Sequence, residues 1–238
     1  MKGLIYPSSI YCIACGNLID KTRKYSLCDE CIRKFNWVTQ RSCDKCGRPL
    51  RDNQKGDRCG ICNDVELAFE KGYVCVEYDD DTKEIVHHYK FNDQVYIAKV
   101  VAEIMRDKLK GKCELLSLIT AVPMHKKRLR KRGYNQAEVL ARELGKLIAL
   151  PYEPLLARVN PTPPMSSLGI EARRLNLEEA FAMRKGQDAR DKTILLIDDV
   201  LTTGSTADAC ARVMLDAGAK RVNLAVFAAG TSLDRDKI

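Results

Sequence analysis

The chain has 238 residues, 45% of them hydrophobic and 30% charged, with a formal net charge of +8. This is the composition of a globular protein long enough for one sizeable core and a small satellite domain. No stretch approaches the roughly 20 apolar residues of a membrane-spanning helix, and Met1–Tyr11 is too short and mixed for an export signal, so a cytoplasmic protein with no membrane insertion is expected.

Eight of the eleven cysteines fall between Cys12 and Cys62 as four Cys-x-x-Cys pairs. The pairs are Cys12/Cys15, Cys28/Cys31, Cys43/Cys46 and Cys59/Cys62. Twelve residues separate the second pair from the first, and twelve separate the fourth from the third, so one C-x2-C-x12-C-x2-C unit is written twice. Without an export signal such thiols stay reduced, and paired thiolates at this spacing suit tetrahedral Zn²⁺. Two structural sites are expected, one per repeat, because four sulfurs leave no open position for catalysis. Glycine follows three of the cysteines and lets the backbone turn beneath a metal. A redox pair is the competing reading, but such a pair normally occurs singly at a helix start. Lys21, Arg23, Lys24, Arg33 and Lys34 in this region could touch nucleic acid, but interleaved acids favour a solvated surface.

The composition changes near residue 66, which predicts a small domain over 1–66 and a larger one over 67–238. In the second part, strands are predicted over 72–78 and 85–91, with Asp79, Asp80 and Asp81 turning between them. Ile97, Val100, Val101 and Ile104 have helix spacing within 95–109. A short strand over 116–122 is closed by Pro123. A helix over 135–150 carries Ala137, Leu140, Ala141 and Leu144 on one stripe. A possible strand spans 154–159, and three prolines make 160–168 a loop. A strand over 193–197, a helix over 205–217 and a strand over 222–229 complete the pattern. Strands alternating with helices imply an α/β fold with a parallel sheet covered on both faces. Cys75, Cys113 and Cys210 sit in apolar surroundings and read as small core residues.

The strongest chemical signal lies between Thr193 and Thr206. A buried strand ends on two adjacent acids, Asp198 and Asp199, followed by Thr202, Thr203, Gly204, Ser205, Thr206 and the start of a helix. Ligands of open parallel sheets bind outside the carboxyl ends of the strands. A helix N-terminus offers unpaired N–H groups to a phosphate, and four hydroxyls with a glycine can surround one. The two acids can accept hydrogen bonds from vicinal ribose hydroxyls. A simple helix cap would need one hydroxyl.

These residues resemble the phosphoribosyl-pyrophosphate motif of type I phosphoribosyltransferases. The stretch from Val122 to Ala141 is closer to one branch, the ComF family of competence-associated proteins, which join a double zinc ribbon to a phosphoribosyltransferase domain. Thr162, Leu168, Arg173, Asn176 and Phe181 follow that family's spacing, whereas Met165 stands where it carries glutamine. The resemblance implies the type I phosphoribosyltransferase fold, with Asp198 and Asp199 on the ribose hydroxyls and Thr202–Thr206 around the 5-phosphate. It further implies a pyrophosphate loop at Pro123, Met124, His125 and Lys126, with Mg²⁺ bridging pyrophosphate and ribose. A flexible loop would carry Arg173 and Asn176 over the site.

Residues 126–132 hold six cations in seven positions: Lys126, Lys127, Arg128, Arg130, Lys131 and Arg132. Pyrophosphate needs one or two of them, and a polyanion such as single-stranded DNA would use more. A solvated charged loop is the plainer reading. Tyr134 beside the run could stack on a base, although a core or hinge role is the commoner one. No base-reading pocket is legible, with aromatic residues at 6%. Two functions therefore stay open. One is a ComF-like protein of DNA uptake that binds phosphoribosyl pyrophosphate and single-stranded DNA, with other competence proteins as partners. The other is a phosphoribosyltransferase acting on a small base or amine.

Overall fold

The computed structural model describes residues 10–39, 41–91, 95–160 and 179–231. Its centre is a four-stranded, all-parallel sheet built from β1 (Gly72–Glu77), β2 (Leu118–Ala121), β5 (Thr193–Leu201) and β6 (Arg221–Ala229), in the order β1-β6-β5-β2. A separate antiparallel pair, β3 (Leu156–Arg158) and β4 (Phe181–Met183), stands beside it.

The central strands are apolar on both faces, and alternate side chains serve two different cores. Leu195, Ile197, Ala225 and Phe227 pack with Ile97 and Val101 of α4 (Val95–Leu109) and with Leu140 and Leu144 of α6 (Gln136–Ile148). Ile194, Leu196, Leu224 and Val226 pack with Ala207, Ala211 and Met214 of α7 (Ser205–Asp216). Each fully buried Leu or Ile contributes about 1.5–3 kcal/mol. The parallel sheet, the helix over α4, the 3.6-residue stripe of α6 and the strand–helix–strand close of the chain all match the sequence pattern.

The ribbons belong to these two cores. Cys12, Ile13, Leu27 and Phe35 of the first repeat join the α4 side. Cys43, Cys46, Leu50, Cys59 and Ile61 of the second join the α7 side. Between the repeats, Asn36–Val38 runs along the free edge of β1, where the Val38 N–H donates to the Cys75 carbonyl and the Glu77 N–H donates to that of Asn36. The edge strand is thereby covered. Gly47 and Gly72 meet so closely that a Cβ on Gly72 would lie 2.3 Å from the Cys46 carbonyl oxygen.

Three expectations need correction. Residues 85–91 are not a strand but the end of a helix, α3 (Asp80–Phe91). Asp79 and Thr82 cap it reciprocally: the Thr82 N–H donates to Asp79 Oδ1 and the Asp79 N–H donates to Thr82 Oγ1, both at 2.9 Å. The aspartates after it favour a helix N-terminus rather than a turn. The basic run is not a loop but α5 (Lys126–Arg132). The strand expected over 193–197 continues to Leu201, so Asp198 and Asp199 stand on β5 itself. Two short helices in the ribbons, α1 (Asp29–Lys34) and α2 (Gly60–Asp64), begin directly after Cys28 and Cys59.

Candidate functional site

The eight ribbon cysteines form two separate groups, Cys12/Cys15/Cys28/Cys31 and Cys43/Cys46/Cys59/Cys62, with the sulfurs of each group within 4.8 Å of one another. The Cys15 and Cys28 sulfurs are 3.8 Å apart, and those of Cys46 and Cys59 are 3.6 Å apart. Four thiolates at about 2.3 Å from a tetrahedral Zn²⁺ would stand about 3.8 Å from each other. Backbone N–H groups support the sulfurs: that of Cys28 points at Cys12 Sγ, and that of Cys59 at Cys43 Sγ. The donor set and spacing fit Zn²⁺ in both groups. All four cysteines of the second group are buried, whereas Cys15 of the first is exposed. Nearby, Arg23 pairs with Asp29, Lys24 with Asp107 and Lys34 with Glu30, so these ribbon cations are engaged within the chain.

The other candidate site is a cavity of about 250 Å³ outside the carboxyl ends of β2 and β5. Six pieces of chain line it. Val122, Pro123 and Met124 leave β2, and Asp198 and Asp199 project from β5. Thr206 stands in the first turn of α7, and Arg158 ends β3. Arg128 and Arg132 of α5 close one wall with Asn135, Gln136 and Ala137 at the start of α6. The Asn135 side-chain amide donates to the Val122 carbonyl at 3.0 Å, which ties α6 to the β2 loop. Arg132 donates to Gln136 Oε1 at 2.8 Å. Burial, and after it the neighbouring Arg128 charge, pushes the Arg158 guanidinium below its usual range. An anion entering beside both arginines would relieve that repulsion.

Helix geometry sorts the six cations of α5. Successive residues turn by about 100°, so Arg128 and Arg132, four apart, share one side and face the cavity. Lys126, Lys127, Arg130 and Lys131 are exposed elsewhere on the helix. Among the described residues, none of these four makes an ion pair within the chain. His125 caps α5 by accepting from the Lys127 N–H at 3.3 Å, and Gly133 ends the helix with φ +85°. Tyr134 is half-buried.

The Thr202–Ser205 turn into α7 adjoins the cavity. Gly204, with φ +87°, turns the chain into α7, a conformation an L side chain rarely adopts. The Thr203 and Ser205 hydroxyls are 2.9 Å apart. Asp198 and Asp199 each accept a backbone N–H from the following residue at 2.9 Å, which orients their carboxylates. Of the expected site residues, the structure brings Pro123, Met124, Arg128, Arg132, Asp198, Asp199 and Thr206 into one lining. It leaves His125, Lys126, Thr202, Thr203, Gly204 and Ser205 outside that lining. Arg173 and Asn176 lie outside the described residues. Asn135, Gln136 and Arg158 were not anticipated. The first two lay next to the basic run, but nothing in the local pattern marked Arg158.

A parallel α/β domain with this crevice, joined to two tetracysteine groups, defines a phosphoribosyltransferase-type protein with structural metal sites. The Double zinc ribbon domain model matches residues 2–66 and the Phosphoribosyl transferase domain model matches residues 129–237. The chain is 29% identical to Competence protein F of Haemophilus influenzae, over 90% of this chain and 94% of that protein. It is 27% identical to Competence protein ComFC of Streptococcus pneumoniae, over 89% and 96%. It is 24% identical to DNA utilization protein YhgH of Escherichia coli strain K12, over 84% and 88%. The chain thus carries a double zinc ribbon domain followed by a phosphoribosyl transferase domain, and it is similar to competence and DNA utilization proteins over most of its length. No helix among the described residues is long and apolar enough to cross a membrane.

Proposed function

We propose that the cavity binds phosphoribosyl pyrophosphate with Mg²⁺, and that the outer face of α5 binds single-stranded DNA, in a cytoplasmic protein of DNA uptake or utilization. The observation that carries this reading is the meeting, in one cavity, of two adjacent carboxylates, a helix start and three arginines from two elements. Asp198 and Asp199 would accept hydrogen bonds from the ribose 2- and 3-hydroxyls, and Thr202–Thr206 would seat the 5-phosphate at the start of α7. Arg128, Arg132 and Arg158 would face the pyrophosphate, the group with the highest charge density. Bidentate guanidinium–phosphate contacts supply both affinity and orientation. Carboxylates are the hard oxygen ligands that Mg²⁺ accepts, and the ion would neutralise pyrophosphate charge between the acids and the arginines.

The remaining cations of α5 present an exposed positive face suited to a phosphate backbone. The competence and DNA utilization names of the relatives support a nucleic-acid role for this face. Residues 1–66 would serve as the ribbon module and 67–238 as the sugar-phosphate module, with other proteins of the uptake machinery as partners.

Isothermal titration with phosphoribosyl pyrophosphate and Mg²⁺, with and without single-stranded DNA, tests the reading. Saturable binding that DNA alters is expected. Binding indifferent to DNA, with acceptor-dependent release of pyrophosphate, would instead assign phosphoribosyl transfer to a small base or amine. No binding of either ligand would overturn both readings.

A further inference from the structure

Arg48 lies two residues past Cys46, inside the second ribbon, yet its side chain leaves the ribbon and enters the α/β core. It is 1% exposed. One guanidinium nitrogen donates to the carbonyl of Thr202, the first residue of the phosphate loop. The other terminal nitrogen donates to the carbonyl of Gly230, just beyond β6. Its Nε is buried without an acceptor. Burying a guanidinium against carbonyl dipoles is costly, and an apolar side chain of similar volume would fill a merely structural position more cheaply.

We propose that Arg48 is a positioning residue of the phosphate loop, which makes the second ribbon a working part of the phosphate seat. The inference rests on the reading of Thr202–Thr206 as that seat. Peptide geometry supplies the first reason. In a planar trans peptide the Thr202 carbonyl and the Thr203 N–H point in opposite directions. Fastening the carbonyl to Arg48 turns the N–H away from the ribbon, to the opposite side of the loop. Electrostatics supplies the second. At this depth the field of the guanidinium on an adjacent phosphate is weakly screened.

The ribbon in turn holds Arg48 in place. The Arg48 carbonyl accepts the Cys43 N–H at 2.7 Å, and the Gly47 N–H donates to the Cys43 carbonyl at 2.8 Å, so the arginine stands on the turn that carries two of the metal ligands. The chain leaving the ribbon grips the other end of the loop. Leu67 packs under Gly204, and the Ala68 N–H donates to Asp208 Oδ1 of α7 at 2.6 Å.

The test titrates wild type, Arg48→Met and Arg48→Lys with ribose 5-phosphate and, separately, with inorganic pyrophosphate, after confirming the zinc content of each. Both variants should lose ribose 5-phosphate affinity by about 10- to 100-fold, with Arg48→Lys the milder, and should keep pyrophosphate affinity, which depends on the arginines across the cavity. A role in folding alone would move both ligands or neither. If Arg48→Met does not fold, amide exchange in Arg48→Lys decides. Lysine reaches only one carbonyl, so the Thr203, Gly204 and Ser205 amides should exchange faster, and unchanged rates would overturn the proposal. Wild-type binding matched by zinc-replete variants would overturn the proposal alone. Failure of the wild type to bind ribose 5-phosphate would remove the loop reading and the proposal with it.

Discussion

Replacing Lys127, Arg130 and Lys131 together by glutamine should separate the polyanion surface from the sugar-phosphate cavity. All three are exposed on α5, away from Arg128 and Arg132, which line the cavity. Glutamine has a helix propensity close to that of lysine and arginine, so α5 should persist. On a single strand, each phosphate contact contributes about −0.7 to the slope of log affinity against log salt. If the four outward cations of α5 all contact phosphate, the wild-type slope from this helix is about −2.8, and the triple variant retains about −0.7. A fourfold rise in salt would then weaken wild-type binding by about 50-fold and variant binding by about 3-fold. Fluorescence anisotropy of a labelled oligonucleotide across a salt series measures both slopes. Phosphoribosyl pyrophosphate affinity, measured by titration on the same preparations, should not change. An unaltered salt slope would refute the assignment of α5 to DNA. A parallel loss of both ligands would refute the division of the helix into two sides.

Three further outcomes follow from the structure. Asp198→Asn with Asp199→Asn should abolish phosphoribosyl pyrophosphate binding while the melting temperature moves little, because both side chains stand at the cavity; unchanged affinity by calorimetric titration would contradict their assignment to the ribose. Cys12→Ser should remove one of the two zinc ions and loosen the first ribbon while the sheet survives, and elemental analysis that still returns two metals per chain would contradict the tetracysteine grouping. Gly72→Ala should destabilise the whole chain by about 3 kcal/mol or more, read by denaturant unfolding. Its new Cβ would press on the Cys46 backbone at 2.3 Å, where no flexible side chain can give way.

Patterns short enough to be local were legible in the sequence. Chelation needs a fixed spacing, so the duplicated Cys-x-x-Cys units identified both tetracysteine groups and their membership. Burial on two faces needs continuous apolar runs, so Ile194–Ile197 and Val222–Ala229 announced the central parallel strands. Paired acids after an apolar run, followed by hydroxyls and a glycine, marked the passage from β5 to α7 that borders the cavity. The helix over 80–91 was misread because its cap is a reciprocal pair of side-chain bonds between Asp79 and Thr82, while its apolar residues mimic a strand.

Contacts between distant segments were decided only by the tertiary structure. Nothing near Arg158 in the chain announces that it lines the cavity with Asp198, because β3 meets β5 only once the sheet has formed. The six cations of α5 look equivalent until the helix turns two inward and four outward. The ribbons read as a small separate domain because the composition changes near residue 66. In the fold they share the cores of the sheet, and Arg48 reaches a loop 154 residues further along the chain. The physical reason is common to all three. Spacing along the chain encodes what a segment can do by itself, whereas a buried charge or a shared cavity depends on which segments the packing of the sheet brings together.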